Sequence, residues 1–228
     1  MSNEKLLQCS IAKLENKFSK AITYTTVKNV ISDIQSEANL QKAKYKRTSV
    51  FWNEQVKLGR RESNITNYDS GFLFMDFDQE YLDGQSPDEL KKDLITLPYC
   101  LFTCLSSSKT GLHAVFLVTG KTTKQDSRDT YRQISVFIYK KFGIKSCKGS
   151  NKTVQLQHLP ADKDILINYD AVAYVYKHNE ETEQEYYKDF GKTKDHDLVK
   201  HSEEEIFSLT YNKELCTHYT NLFAFSLE

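Results

Sequence analysis

Apolar residues cluster in the run Gly71-Phe72-Leu73-Phe74-Met75, which continues through Asp76-Phe77-Asp78 and is bounded by Asp69-Ser70 and Gln79-Glu80. A short apolar run between polar clusters predicts a buried strand. Two more such runs, 99–105 and 112–118, are separated only by the polar stretch Ser106-Ser107-Ser108-Lys109-Thr110-Gly111. Strands joined by so short a turn are expected to form an antiparallel hairpin. Helical spacing occurs at three places. Val27, Val30, Ile31 and Ile34 recur at i, i+3, i+4, i+7 behind a cap at Thr25 or Thr26. Ser86, Pro87 and Glu89 form a capping-box start for a helix that should run to about Thr96 and stop before Pro98. Tyr131, Ile134, Ile138 and Phe142 share one face of a helix over 123–142. Weaker patterns predict strands at 8–14, 49–52, 56–61, 154–158, 165–167 and 172–175, with a basic linker at 42–47 and a helical remainder over 180–228.

Strands and helices in this mixed order, with one adjacent strand pair, point to an α+β fold rather than a doubly wound parallel sheet. There is no internal repeat and no low-complexity segment. The expected organisation is one domain over 1–178 and an acidic, mostly helical appendage, or the start of a further region, over 179–228.

Composition adds limits. The 228 residues are 39% apolar, 27% charged and 12% aromatic with three prolines, which favours a packed core over disorder. The first residues lack the apolar centre of a signal peptide, and no apolar run approaches a membrane span, so a cytoplasmic protein without membrane contact is expected. Five cysteines without zinc-type spacing are expected to be reduced thiols. Net charge is zero, but its distribution is uneven. Between 130 and 161 there is no acidic residue, while Arg132, Lys140, Lys141, Lys145, Lys148 and Lys152 fall there; 179–205 is strongly acidic. That split fits either a phosphate-facing region beside an acidic segment or two solvated surfaces.

Two features carry candidate chemistry. Residues two apart on a strand point to one side, so Asp76 and Asp78 project together while Met75 and Phe77 face away. Paired carboxylates suit a divalent cation, although a strand that simply runs out into water would look the same. The second feature is the turn 106–111, whose backbone N–H groups suit an anion-binding nest, with Gly111 allowing close approach of a ligand. Lys109 and His113 are its candidate phosphate partners. A serine-rich turn and a structural histidine are the plainer alternative.

In combination and order these motifs resemble the archaeo-eukaryotic primase superfamily, most nearly the VirE amino-terminal type of primase-like domain of bacterial mobile elements and phages. The resemblance spans about 8–176. It rests on Phe51, Gly59-Arg60-Arg61, Ser70-Gly71, Met75-Asp76-Phe77-Asp78, Leu97-Pro98-Tyr99, Ser106 to His113, Phe142-Gly143-Ile144, Asp162 and Asn168. It implies an RRM-like mixed or antiparallel sheet with flanking helices and a metal-dependent nucleotidyltransferase, a primase-polymerase. Asp76 and Asp78 would hold Mg²⁺ or Mn²⁺ and, with His113, carry the catalysis. Ser106, Ser108, Lys109, Gly111 and His113 would bind a nucleoside triphosphate. Arg60, Arg61, Lys140, Lys141, Lys145, Lys148 and Lys152 would bind a single-stranded nucleic-acid template, and a helicase or further primase domain is an expected partner. The chain departs from the family where Lys145 and Ser146 follow Ile144 in place of an acidic motif, at Gln155 and Pro160, and at Lys109, where a glycine is usual. Either Asp162, Asp164 or Asp170 supplies a third carboxylate, or the domain is degenerate and binds nucleotide or nucleic acid without turnover. An interaction domain without chemistry is the third reading.

Overall fold

The computed structural model describes residues 3–36, 42, 46–58, 61–147 and 155–190. Its first part contains α1 (Asn3–Leu7), β1 (Ser10–Leu14), β2 (Thr23–Thr26), α2 (Val27–Gln35) and β3 (Ser49–Phe51), followed by the short pair β4 (Gln55–Val56) and β5 (Ile65–Asn67). The second part runs β6 (Phe72–Phe77), α3 (Pro87–Leu94), β7 (Cys100–Leu105), β8 (Leu112–Thr119) and α4 (Lys124–Phe142). It ends with β9 (Leu156–His158), β10 (Leu166–Ile167), β11 (Tyr174–Val175) and α5 (Glu180–Phe190). The class is α+β, with antiparallel sheets and helices packed on them.

Local chemistry starts most of these elements where the pattern placed them. Thr26 caps α2 by accepting the N–H of Asn29 at 3.2 Å, and Val27, Val30, Ile31 and Ile34 are all buried. Thr123 and Asp126 form a reciprocal capping box on α4, and Gly143 ends that helix in the left-handed conformation at φ 73°. Ser86 precedes α3 with Pro87 in the first turn, but its side chain makes no capping bond. Of the strand expected at 56–61, residues 59 and 60 lie outside the described residues, and among the others only Val56 is in a strand, the two-residue β4.

In the central sheet β8 lies between β6 and β7, β10 flanks β7, and β11 pairs with the end of β8 in parallel. Both faces of this sheet are covered. Leu73, Met75 and Phe77 of β6, with Leu112, Ala114 and Phe116 of β8, meet α3 and α4. Phe72 and Phe74, with Val115 and Leu117, meet α2, Ile11 and Val50 of the amino-terminal sheet β2-β1-β3-β9, and Trp52 just after β3. Burial on both faces explains why β7 and β8 read as nearly continuous apolar runs rather than alternating ones. α5 closes the helix side: Tyr186 and Phe190 join that core and stack with ring centroids 4.5 Å apart. The described start of the 179–228 segment thus packs onto the main body. Cys9, Cys100, Cys104 and Cys147 are free thiols. No helix among the described residues is long and apolar enough to cross a membrane.

One edge of β6 pairs with β8. The other is satisfied piecemeal. Phe74 N–H donates to Asn53 Oδ1 at 2.7 Å, the Lys121 ammonium donates to Phe72 O at 3.0 Å, and Cys147 N–H donates to Asp76 O at 2.7 Å. Buried backbone groups need such partners, and an unpaired strand edge would otherwise invite another chain. Lys121 also donates to Asn53 O at 2.8 Å, tying the 52–54 segment to β6. Burial pushes its pKa down from 10.5 to about 8, against the opposing pull of Glu54 and Asp69.

The depressed Lys121 value gives a signed prediction. Between about pH 8 and 10.5 the unfolded chain holds more protons on this group than the folded one, so its contribution makes stability rise with pH. Below pH 8 the cost of burying the charge is fully present. In urea denaturation across pH 7–11, the difference between wild-type and Lys121→Met stabilities should therefore shift in favour of the wild type as pH rises. A flat difference would contradict this.

Candidate functional site

The antiparallel register sets Asp76 of β6 directly opposite His113 of β8. Strand alternation turns both side chains to the face that Phe72, Phe74, Val115 and Leu117 occupy, away from the helices. His113 Nε2 lies 3.4 Å from Asp76 Oδ1, with the imidazole side chain 9% exposed and the carboxylate 24%. Phe74 meets the imidazole edge-on at 5.1 Å between centroids. Asp78 follows the strand with extended backbone (φ −69°, ψ 153°), so alternation keeps it on the side of Asp76. Its carbonyl accepts Tyr81 N–H at 2.9 Å, opening a 3₁₀ turn over Gln79–Tyr81, and its side chain is exposed.

The turn 106–111 is closed by its own hydrogen bonds. Ser106 N–H donates to Gly111 O at 2.9 Å, Gly111 N–H to Ser106 Oγ at 3.3 Å, and Lys109 N–H to Ser106 O at 3.0 Å. The hydroxyls of Ser106, Ser108 and Thr110 run in sequence at 3.1 and 2.9 Å. Three of the amides expected in an anion nest are thus used inside the loop. Gly111 has a packing role that its sequence context did not suggest. A Cβ there would stand 2.4 Å from Phe77 O and 3.2 Å from Asp78 Cα. The space that glycine leaves is filled by the end of β6, so Gly111 lets the serine loop seat against the Asp76-Phe77-Asp78 segment. Lys109 has φ 62°, a left-handed conformation that L-residues with side chains adopt at a cost. That is the physical reason a glycine suits this position.

The third carboxylate does not gather here. Asp162 is buried in an ion pair with Lys91 at 2.7 Å, and it also accepts the N–H groups of Leu105 at 2.7 Å and Asp164 at 3.0 Å. It ties α3 and the end of β7 to the segment leading into β10. Asp164 and Asp170 are exposed. Among the described residues no three His, Cys, Asp or Glu side chains form a group that could hold a metal ion. Lys145 N–H donates to Tyr81 O at 3.0 Å, and its ammonium stands over the rings of Tyr139 at 5.0 Å and Phe190 at 5.7 Å.

The basic candidates are drawn toward α5. Lys140 pairs with Glu185 at 2.5 Å, and Arg132 donates to the Tyr187 hydroxyl at 2.7 Å while pairing with Asp129 at 2.8 Å. Lys141 lies over Phe142 at 5.2 Å. Arg61 is exposed ahead of the 3₁₀ turn Glu62–Asn64. Arg60, Lys148 and Lys152 lie outside the described residues.

Sequence reasoning missed Gln157 and Trp52. Gln157 alternates with Leu156 and His158 and reads as a solvent-facing strand position, yet it is 1% exposed because β9 packs that side toward the central sheet. Its amide nitrogen is 3.0 Å from His113 Nδ1, and its amide oxygen accepts the Trp52 indole N–H at 2.5 Å. A glutamine within a strand beside an otherwise apolar core face is the only sequence signal available for it.

Comparison of the chain with protein-family models, with curated proteins and with solved structures found no match.

The two loop positions give opposite expectations. Lys109→Gly relieves a left-handed side-chain residue and should raise stability, by up to about 1 kcal/mol, or leave it unchanged. Gly111→Ala forces the loop away from Phe77 O and should cost about 1–3 kcal/mol, as overpacking does. Chemical denaturation of both variants checks the pair; a neutral Gly111→Ala would show that the close approach is not required.

Proposed function

We propose that this chain is a primase-polymerase-like nucleotidyltransferase domain. The reading is supported by the order of elements β6-α3-β7-β8-α4 with β8 between β6 and β7, which is RRM-like, and by the amino-terminal sheet lying over the face opposite the helices. The observation that carries it is the register of β6 and β8. Asp76 and His113 belong to motifs far apart in sequence, yet they stand opposite each other on one face, with the serine loop seated on the Asp76-Phe77-Asp78 segment.

The donor set fits a hard divalent cation in its chemistry. Mg²⁺ commonly uses one or two carboxylates and completes its shell with water and substrate phosphates. Asp76 and Asp78 would hold Mg²⁺ or Mn²⁺, which would supply Lewis-acid stabilisation of phosphoryl oxygens. His113 and the exposed Lys109 would orient the triphosphate, and Ser108 and Thr110 offer hydroxyl donors on the same loop. Arg61 and the lysines at the end of α4 are the proposed contacts to a single-stranded template.

A second reading, a domain that binds nucleotide or single-stranded nucleic acid without turnover, is favoured by the engagement of Asp162 with Lys91. The two readings separate in one experiment. Protein, Mn²⁺, nucleoside triphosphates and a primed single-stranded template should give primer extension with pyrophosphate release. Asp76→Ala combined with Asp78→Ala should lower the rate about a thousandfold or more, since a metal supplies several kcal/mol and each 1.36 kcal/mol is tenfold. Activity that survives the double substitution would sink the polymerase assignment. Salt-sensitive binding of the template with no pyrophosphate release would establish the second reading.

A further inference from the structure

The hydrogen bonds behind His113 decide which ring nitrogen carries its proton. The Trp52 indole N–H is a donor only, and it meets Gln157 Oε1 at 2.5 Å, which commits the amide oxygen of Gln157 to the indole. The amide nitrogen therefore faces His113, 3.0 Å from Nδ1, and an NH₂ group can only donate. Nδ1 is the acceptor. In the neutral ring the proton consequently sits on Nε2, the nitrogen that faces Asp76 Oδ1 at 3.4 Å. Trp52 is fully buried and Gln157 nearly so. Edge-on contacts of Trp52 with Phe72 and Phe102, at 5.4 and 5.5 Å, hold the indole in place.

We propose that Trp52 and Gln157 are positioning residues that lock His113 in the Nε2–H tautomer. The lock presents the Nε2–H of His113 as a hydrogen-bond donor to an anionic oxygen arriving beside Asp76. Its Nδ1 lone pair is spent on Gln157 and its Nε2 carries hydrogen, so neither nitrogen offers a lone pair to a cation or to a substrate proton. A divalent ion at this site is left to the carboxylates, and His113 is left to phosphate oxygens. The ligand half of this statement rests on the nucleotidyltransferase reading; the tautomer lock does not.

Long-range ¹H–¹⁵N correlation of the histidine side chains, recorded where the ring is neutral, reads the tautomer directly. The chain has six histidines, and His113→Asn identifies the signal by its loss. In the wild type, Nδ1 should resonate far downfield as an unprotonated nitrogen and Nε2 in the protonated range. In Gln157→Leu and in Trp52→Phe the two resonances should shift toward each other as the tautomers mix. Trp52→Phe is the sharper variant, because it keeps an aromatic ring and acts on His113 only through Gln157. A proton on Nδ1 in the wild type overturns the proposal, as do unmoved resonances in Trp52→Phe, whether or not Gln157→Leu folds. Addition of a non-hydrolysable nucleoside triphosphate without metal should shift the Nε2 signal while the proton stays on Nε2. A locked tautomer with no such shift would overturn the ligand half and leave the lock standing.

Discussion

The structure depends on how β6 is enclosed. Both faces of this strand are buried, one under α3 and α4 and the other under α2 and the amino-terminal sheet. One edge is paired with β8, and the other is met by a side-chain amide, a buried ammonium and a single backbone N–H. An unsatisfied buried backbone group costs about 1–3 kcal/mol, so Asn53, Lys121 and Cys147 are held to their positions as firmly as a further strand would be. This arrangement leaves side-chain exposure only toward the carboxyl end of β6. Asp76 is partly exposed and Asp78 exposed, while every other side chain of the strand is buried.

The site follows from that enclosure. Because β6 and β8 are in register from Phe72 opposite Leu117 to Phe77 opposite Leu112, the residue across from Asp76 is determined, and it is His113. Because Gly111 has no Cβ, the loop preceding His113 can rest on the carbonyl of Phe77. The amino-terminal sheet then contributes from behind. β3 leads into Trp52 and β9 carries Gln157, and these two strands are paired, so indole and amide reach the imidazole together. Three segments that are distant in sequence thereby set the geometry of one side chain.

The uneven charge along the chain is in part an internal affair. The basic face of α4 and the acidic, aromatic α5 pack on each other through Lys140 with Glu185 and Arg132 with Tyr187. The partly exposed Lys140–Glu185 ion pair contributes little to stability, about 0–1 kcal/mol. The burial of Tyr186 and Phe190 contributes more, at about 25 cal/mol per Å² of apolar surface removed from water. Segregated blocks of opposite sign in a sequence therefore need not mark two free surfaces.

Much of the element list was legible from residue patterns: α2 from Thr26 and its apolar stripe, α4 from Thr123 to Gly143, and the β7–β8 hairpin from two apolar runs around a polar turn. Asp76, Asp78 and His113 were legible as candidates because a carboxylate pair and a histidine interrupt apolar strands. Gln157 was not, since period-two alternation tells which residues share a side but not whether that side meets water or another layer. Asp162 was similarly open as a candidate ligand until the fold placed Lys91 against it. Local sequence alone determined where α2, α4, β6, β7 and β8 lie and which side chains share a strand side, because caps, glycines and periodicity act over a few residues. Only the tertiary structure decided that Asp76 faces His113, that Gly111 seats against β6, and that Gln157 stands behind the imidazole. Those contacts join residues tens of positions apart, and the packing of whole layers brings them together.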